Sequence, residues 1–298
     1  MTETRDAWAA WLLHTRYGGD QDERARMLAR LARVRDRVVA GGELAPGDTA
    51  LDVGAGDGLI AFGALEAVGE TGTVIFSDVS EELIAVSRRI AEETGVSERC
   101  RFVVAPAEDL GPIPAESVDA VFTRSVLIYV KDKQRAFAEF HRVLRSGGRL
   151  SMFEPINRFT LDRRPASWFV GYDVTPVQDL AAKVLAVYRA SGPPLEENPM
   201  FDFDERDLFD VAVRAGFAEI RLDFHADVAP DEPASVARTW ESFAASSGNP
   251  LEPTVGEMID AALTPDEAAR FVAHLRPLVE EGRQHTTLRA DAYLVARK

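Results

Sequence analysis

The run Leu51-Asp52-Val53-Gly54-Ala55-Gly56-Asp57-Gly58 is the most informative stretch of the chain. With Thr49 and Ala50 its first three residues read as a short buried strand. Residues 59–68, which follow it, are apolar nearly all round, as in a helix packed on a sheet. Glycines between strand and helix let the backbone turn sharply and let a ligand approach its N–H groups. A nucleotide would sit there at the carboxyl end of the strands, at the switch point of the sheet. The spacing is Gly-x-Gly-x-Gly, whereas dinucleotide loops use Gly-x-Gly-x-x-Gly. Asp52 stands two residues before the first glycine, where its charge would repel a pyrophosphate and suit a cationic ligand.

The alternation continues outward. Residues 73–76 read as a strand and 80–93 as a helix, with Ser80 as N-cap and Glu81 and Glu82 in the positive first turn. Strands follow at 101–104 and 118–123, then a helix at about 131–145 that Gly147-Gly148 ends, then a strand at 149–153. Asp204 caps a further helix running to Gly216, and strands at 218–224 and 291–297 complete the set. Strand and helix in regular alternation mean βαβ units around a mostly parallel sheet. The first forty residues predict helices interrupted at Tyr17-Gly18-Gly19-Asp20. Two helical excursions leave the core, one with a helix near 176–189. The other follows Pro230-Asp231-Glu232-Pro233 and has a helix opened by the capping box Thr264-Pro265-Asp266-Glu267.

Composition narrows the function. The 298 residues carry 34 Lys+Arg against 49 Asp+Glu, a net charge of −15, with 46% hydrophobic and 28% charged residues. These are globular values, and the acidic balance argues against nucleic acid and against an anionic membrane as partner. Cys100 is the only cysteine, so neither an intrachain disulfide nor a thiolate metal cluster can form. The charged start Met1-Thr2-Glu3-Thr4-Arg5-Asp6 leads into no apolar leader, and no segment offers about 18 uncharged apolar residues. A cytoplasmic protein is expected. The histidines at 14, 141, 225, 274 and 285 form no metal-spaced pair, so no metal is expected. His141 reads as structural, and His225 and His285, flanking the second excursion, as a pair that could meet near the cleft.

A second carboxylate completes the pattern. Asp78, about 22 residues beyond the glycine loop at the end of the second predicted strand, can accept hydrogen bonds from both hydroxyls of an adenosine ribose. At this point the chain resembles the class I S-adenosylmethionine-dependent methyltransferases, closest to the set that includes the ubiquinone and menaquinone C-methyltransferases. The resemblance rests on residues 51–58, on Asp78-Val79-Ser80, on Ala107-Glu108-Asp109-Leu110 and on residues 142–150. It implies an α/β fold: a Rossmann-like seven-stranded sheet with helices on both faces, an N-terminal helical cap and two helical insertions. The expected division is a cap at 1–45, a cofactor-binding core at 46–155 and a substrate-side insertion at 156–203. A core helix and strand follow at 204–225, a second insertion at 226–285 and a closing strand at 286–298.

The resemblance also implies roles. Gly54, Ala55 and Gly56 would touch the methionine and ribose portions through backbone, with Asp52 orienting the loop or the ammonium group. Asp78 would hold the ribose hydroxyls, Val79 would pack on adenine, and Ala107 would offer its N–H to the ring. Similar proteins usually carry Asp before that Ala, and here Pro106 stands instead, leaving the adenine amine to Glu108, Asp109 or water. Arg124 and Ser125 would line the methionine moiety. Arg16 and Tyr17 fall where similar enzymes cap the cofactor cleft. Glu154, straight after the fifth strand, reads either as base or substrate anchor at the mouth of the cleft, or as a strand-end carboxylate bonded to backbone. Trp168, Tyr172 and Trp240 read as an aromatic acceptor pocket or as core of the insertions. The expected reaction is in-line methyl transfer from S-adenosylmethionine to the O, N or C of a small organic acceptor, and the missing thiol relay argues against arsenic methylation. The alternatives are a cyclase or regulatory protein that binds the cofactor without transferring methyl and, less favoured, an NAD(P)-dependent oxidoreductase.

Overall fold

Ala50, Leu51, Asp52 and Val53 are all buried, because strand β1 (Thr49–Val53) has a neighbouring strand on each side. The computed structural model describes residues 6–229, 237–283 and 287–298. β1 pairs in parallel with β2 (Thr73–Asp78) and β4 (Val118–Arg124), with Leu51 opposite Ile75 on one side and Val121 on the other. β3 (Cys100–Val104) lies beyond β2, and β5 (Leu144–Pro155) beyond β4, again in parallel. Two short strands, β6 (Trp168–Phe169) and β7 (Tyr172–Asp173), form a separate antiparallel hairpin. With β8 (Ala218–Ala229) and β9 (Thr287–Arg297) the main sheet has seven strands in the order β3-β2-β1-β4-β5-β9-β8, and β9 runs antiparallel to β5. The reversal of strand order falls between β1 and β4, and the glycine loop emerges at the carboxyl end of β1.

The chain forms two compact units. One holds this sheet and comprises Arg30–Arg158, Pro199–His225 and Ala290–Lys298. The other comprises the amino-terminal segment to Ala29, Phe159–Asn198 and Ala226–Arg289. Helix α1 (Ala7–Ala10) is capped by Asp6, and α2 (Gln21–Gly41) follows the turn at residues 16–19. In the sheet unit α3 (Leu59–Ala67) follows the glycine loop. α4 (Glu81–Glu93) is capped by the Ser80 hydroxyl, which accepts the Leu83 N–H at 3.0 Å. α5 (Lys133–Val143) precedes β5, a short α6 (Asn157–Leu161) follows it, and α7 (Gln178–Ala190) belongs to the other unit. α8 (Glu205–Arg214) opens with a reciprocal capping box between Asp204 and Asp207. α9 (Trp240–Ala244), α10 (Val255–Ala262) and α11 (Pro265–Glu280) complete the α-helices of the described residues, α11 with the capping box expected at Thr264 and Glu267.

Three boundaries differ from expectation. α5 ends at Val143, because buried Leu144 turns extended and pairs with Val118, so Gly147-Gly148 lies inside β5 and not at a helix end. β8 and β9 are longer than their apolar patterns suggest, since each is extended by its neighbour in the ladder. Residues 1–6 aside from Asp6, the Pro230–Pro233 turn and His285 lie outside the described residues.

Phe76 anchors the packing beneath the loop. Its ring is fully buried and meets Phe62 of α3 and Phe102 of β3, each with centroids 5.0 Å apart. Phe76→Ala should therefore destabilise the protein by about 3–5 kcal/mol in urea unfolding. A loss below about 1 kcal/mol would contradict this packing.

Candidate functional site

The carboxyl ends of β1 and β2 are joined by hydrogen bonds that shape the glycine loop. Gly54 and Ala55 donate their N–H groups to the Ser77 carbonyl at 2.8 and 2.9 Å. Gly56 donates to Oδ2 of Asp78 at 2.8 Å, and Gly58 to the Ala55 carbonyl at 2.8 Å. Oδ1 of Asp78 accepts the Ser80 N–H at 2.9 Å. Gly54, Gly56 and Gly58 have φ of +70°, +57° and +90°, the left-handed region that glycine enters at no steric cost. A Cβ at Gly54 would also collide with the Val126 side chain. The expectation that a ligand meets the loop through free N–H groups is corrected: those of Gly54, Ala55 and Gly56 are spent on the neighbouring strand end.

Asp52 has a different task from the one its charge suggested. It is 1% exposed, and its Oδ2 accepts the Ala61 N–H at 2.9 Å, tying α3 to β1. Burial pushes its carboxyl up to about 8, against the lowering effects of the Ala61 hydrogen bond and the Arg124 charge. Burial thus favours its protonated form. Glu154 is 0% exposed, and its Oε1 accepts the N–H groups of Val126 and Leu127 at 2.9 and 3.1 Å. Burial pushes its carboxyl up to about 7, opposed by those backbone bonds. Of its two readings, the strand-end carboxylate bonded to backbone matches this geometry, because no exposed oxygen faces solvent.

Around these groups lie the other expected contacts. Val79 and Val104, at the ends of β2 and β3, are 50% and 45% exposed, apolar surface beside Asp78. Ala107 is buried behind a turn in which Asp109 donates to the Pro106 carbonyl. Glu108 lines an open cavity of about 550 Å³ with Asp109, Lys131, Asp132 and Arg135, and its carbonyl accepts from the Arg135 guanidinium at 2.8 Å. Ser125 holds a left-handed φ of +55° and donates its N–H to the Phe153 carbonyl at 2.9 Å. Arg124, partly exposed, acts electrostatically on both Asp52 and Glu154.

Arg16, Tyr17, Trp168, Tyr172 and Trp240 belong to the other unit, and His141 and His225 to the sheet unit. The Arg16 guanidinium stacks over Trp11 and Tyr17 at 4.8 and 5.3 Å, and the Tyr17 carbonyl accepts the Ser242 hydroxyl at 3.1 Å. Tyr172 and Trp240 are buried in one apolar core, each 5.7 Å from the Phe243 ring. Trp168 is half-buried in the β6–β7 hairpin. His225 is held by the Arg37 guanidinium at 3.1 Å, and His141 packs edge-on against Phe217. Among the described residues no three His, Cys, Asp or Glu side chains group as a metal site, and no helix is long and apolar enough to cross a membrane.

Sequence reading missed Ser77, Ser87 and Val126. The Ser87 hydroxyl donates to the Gly56 carbonyl at 3.0 Å, and a lone polar residue on the face of α4 that carries Leu83, Ile84 and Ala91 was the available signal. Ser77 acts only through its carbonyl toward the loop, and Val126 through its shape, which no residue type announces.

The comparisons agree with this geometry. Residues 51–152 match the methyltransferase domain family. An arsenite methyltransferase of Halobacterium salinarum is 35% identical over 113 residues, 38% of this chain and 28% of its own. A ubiquinone/menaquinone biosynthesis C-methyltransferase of Escherichia coli is 35% identical over 108 residues, 36% of this chain and 43% of its own. The matched region thus spans less than half the length of these curated relatives. The YcgJ protein of Bacillus subtilis superposes with a TM-score of 0.53 at 18% identity, covering 89% of this chain and 98% of that one. Geranyl diphosphate C-methyltransferase from Streptomyces coelicolor A3(2) gives 0.51 at 17% identity, covering 90% and 76%. At such identities the likeness shows the fold. Residues 51–152 thus match a methyltransferase domain, and the fold is one shared with these solved structures.

The two buried carboxyls make a pH prediction. In the unfolded chain Asp52 and Glu154 ionise near their usual 3.8 and 4.5, whereas in the folded chain they keep their protons up to about 8 and about 7. The folded state binds more protons between these limits, so stability falls as pH rises from about 5 to 8. Thermal unfolding should show Tm dropping across that range by the equivalent of roughly a few kcal/mol. Asp52→Asn should flatten most of the drop. A parent Tm that climbs steadily from pH 5 to 8 would contradict the protonation assigned to these groups.

Proposed function

We propose that the protein transfers the methyl group of S-adenosylmethionine to a small organic acceptor. The observation that carries this reading is the commitment of the loop N–H groups to Ser77 and Asp78. A pyrophosphate at such a loop is held by free N–H donors. A loop whose N–H groups are spent offers an anion few donors, whereas its Ala55 and Gly56 carbonyls, which accept from Gly58 and Ser87, are oxygens able to accept a second bond, chemistry that favours a cationic ammonium and sulfonium. The Asp78 carboxylate, which accepts the Gly56 and Ser80 N–H groups, stands at the end of β2 where the two ribose hydroxyls would lie. Val79 and Val104 offer the apolar surface against which an adenine ring packs, and Ala107 the backbone that reads its edge.

S-adenosylmethionine supplies a methyl on a positively charged sulfur, which passes in line to the acceptor with release of S-adenosylhomocysteine. Because the donor is already activated, the protein must mainly align the acceptor and exclude water. A base is required only for an acceptor that arrives protonated and poorly nucleophilic. The relatives' names, a quinone C-methyltransferase among them, support a small acceptor. An organic one is favoured over arsenite, because Cys100 is half-buried, donates its thiol to the Val96 carbonyl and is pushed up by burial, an inert setting. A cytoplasmic site of action fits the single cysteine.

Calorimetric titration tests the cofactor. S-adenosylmethionine and S-adenosylhomocysteine should bind at micromolar Kd, while NADH and NADPH should not bind. Gly54→Val, which collides with Val126, should abolish that binding, and Asp78→Ala should weaken it at least about tenfold. Parent-like binding by both variants, or binding of the nicotinamide cofactors alone, would sink the assignment.

A further inference from the structure

Glu154 is a buried acid at the end of β5 whose carboxylate reaches sideways to the segment after β4. Oε1 holds the N–H groups of Val126 and Leu127 at 2.9 and 3.1 Å and lies 3.5 Å from the Thr123 hydroxyl. Oε2 is buried with no hydrogen-bond partner, a cost that persists only where the surroundings fix the side chain firmly. The same short segment includes Ser125, strained at φ +55° and held by the Phe153 carbonyl of β5. Its next residue, Val126, fills the space in front of Gly54 where any Cβ would collide. β5 thus grips the segment at two consecutive residues, Phe153 and Glu154, and the segment in turn closes on the glycine loop of β1.

We infer that Glu154 is a positioning residue: its buried carboxylate tethers the strained Ser125 turn and seats Val126 against Gly54, preforming the methionine end of the cofactor site. This rests on the reading of the glycine loop as an adenosyl site. Strained backbone persists at a binding site when neighbouring bonds over-determine it, and here three bonds to Phe153 and Glu154 of β5 do so. Without the acceptor oxygen, the part-buried Val126 and buried Leu127 N–H groups lose their partner, the Ser125 turn relaxes, and Val126 leaves Gly54.

Amide hydrogen exchange reads the tether with no ligand present, and S-adenosylhomocysteine titration reads its consequence. Glu154→Leu keeps similar volume and removes both acceptors. The Val126 and Leu127 amides should then exchange at least about tenfold faster, and S-adenosylhomocysteine should bind at least about tenfold more weakly. Glu154→Gln keeps an acceptor oxygen and should keep protection, affinity and methyl transfer within about threefold of the parent, a rescue that a catalytic base does not allow. Val126→Ala removes only the half-buried methyls that face Gly54 and should weaken binding several-fold in a folded protein, so it decides the matter even if the Leu variant does not fold. Parent-like protection and affinity in Glu154→Leu, or parent-like affinity in Val126→Ala, would overturn the inference. Loss of turnover in Glu154→Gln with protection intact would overturn it too, and make Glu154 the base. A parent that binds no S-adenosylhomocysteine would sink the adenosyl reading itself, whereas the exchange data would still report on the tether.

Discussion

A parallel sheet ends its strands with backbone groups that no neighbouring strand completes, and buried donors left unpaired there cost about 1–3 kcal/mol each. The whole site follows from how this chain meets that constraint. Two consecutive residues at the end of β2 supply the acceptors: the Ser77 carbonyl takes Gly54 and Ala55, and the Asp78 carboxylate takes Gly56. The loop is thereby bent back over the sheet at three positive-φ glycines. Asp78 is fixed by the same bonds, with Ser80 N–H on its other oxygen, so the group read as the ribose acceptor is rigid before any ligand arrives.

Two buried carboxyls extend this frame sideways. Asp52 joins β1 to α3 through Ala61, and Glu154 joins β5 to the segment after β4 through Val126 and Leu127. Both sit in apolar surroundings that favour the protonated form, and both use backbone N–H groups, not cations, as their main partners. Such groups trade stability at neutral pH for geometry around the loop. In the other unit the aromatic residues are used for packing: Phe169, Tyr172, Trp240, Phe243 and Phe271 share one core with α7, α10 and α11.

Much of the fold was legible because parallel strands buried on both faces read as short apolar runs punctuated by glycine and capping residues. β1, β2, β4, the Ser80 and Asp204 caps and the Thr264 capping box stand where residue type and spacing put them. The boundary at Leu144 was not legible, since a leucine continues a helix pattern and only its pairing with Val118 turns it extended. Within the site, the place of Asp78 at the end of β2 beside the glycine loop was legible, but its bonds to Gly56 and Ser80 were not. The burial of Asp52 and its bond to Ala61 were not legible, since sequence gives the residue type and not its surroundings. Glu154 needed its partners to be seen, for an acid after a strand reads equally as base and as tether.

The central claim is that the frame of Gly54, Gly56 and Asp78 is an adenosyl site. The most direct measurement is a crystal structure of the protein grown with S-adenosylhomocysteine. The account predicts both ribose hydroxyls on the Asp78 carboxylate, the adenine against Val79, and the methionine end along Gly54–Gly56 toward Ser125. Ligand bound elsewhere on the chain, with this loop and Asp78 making no contact to it, would contradict the account.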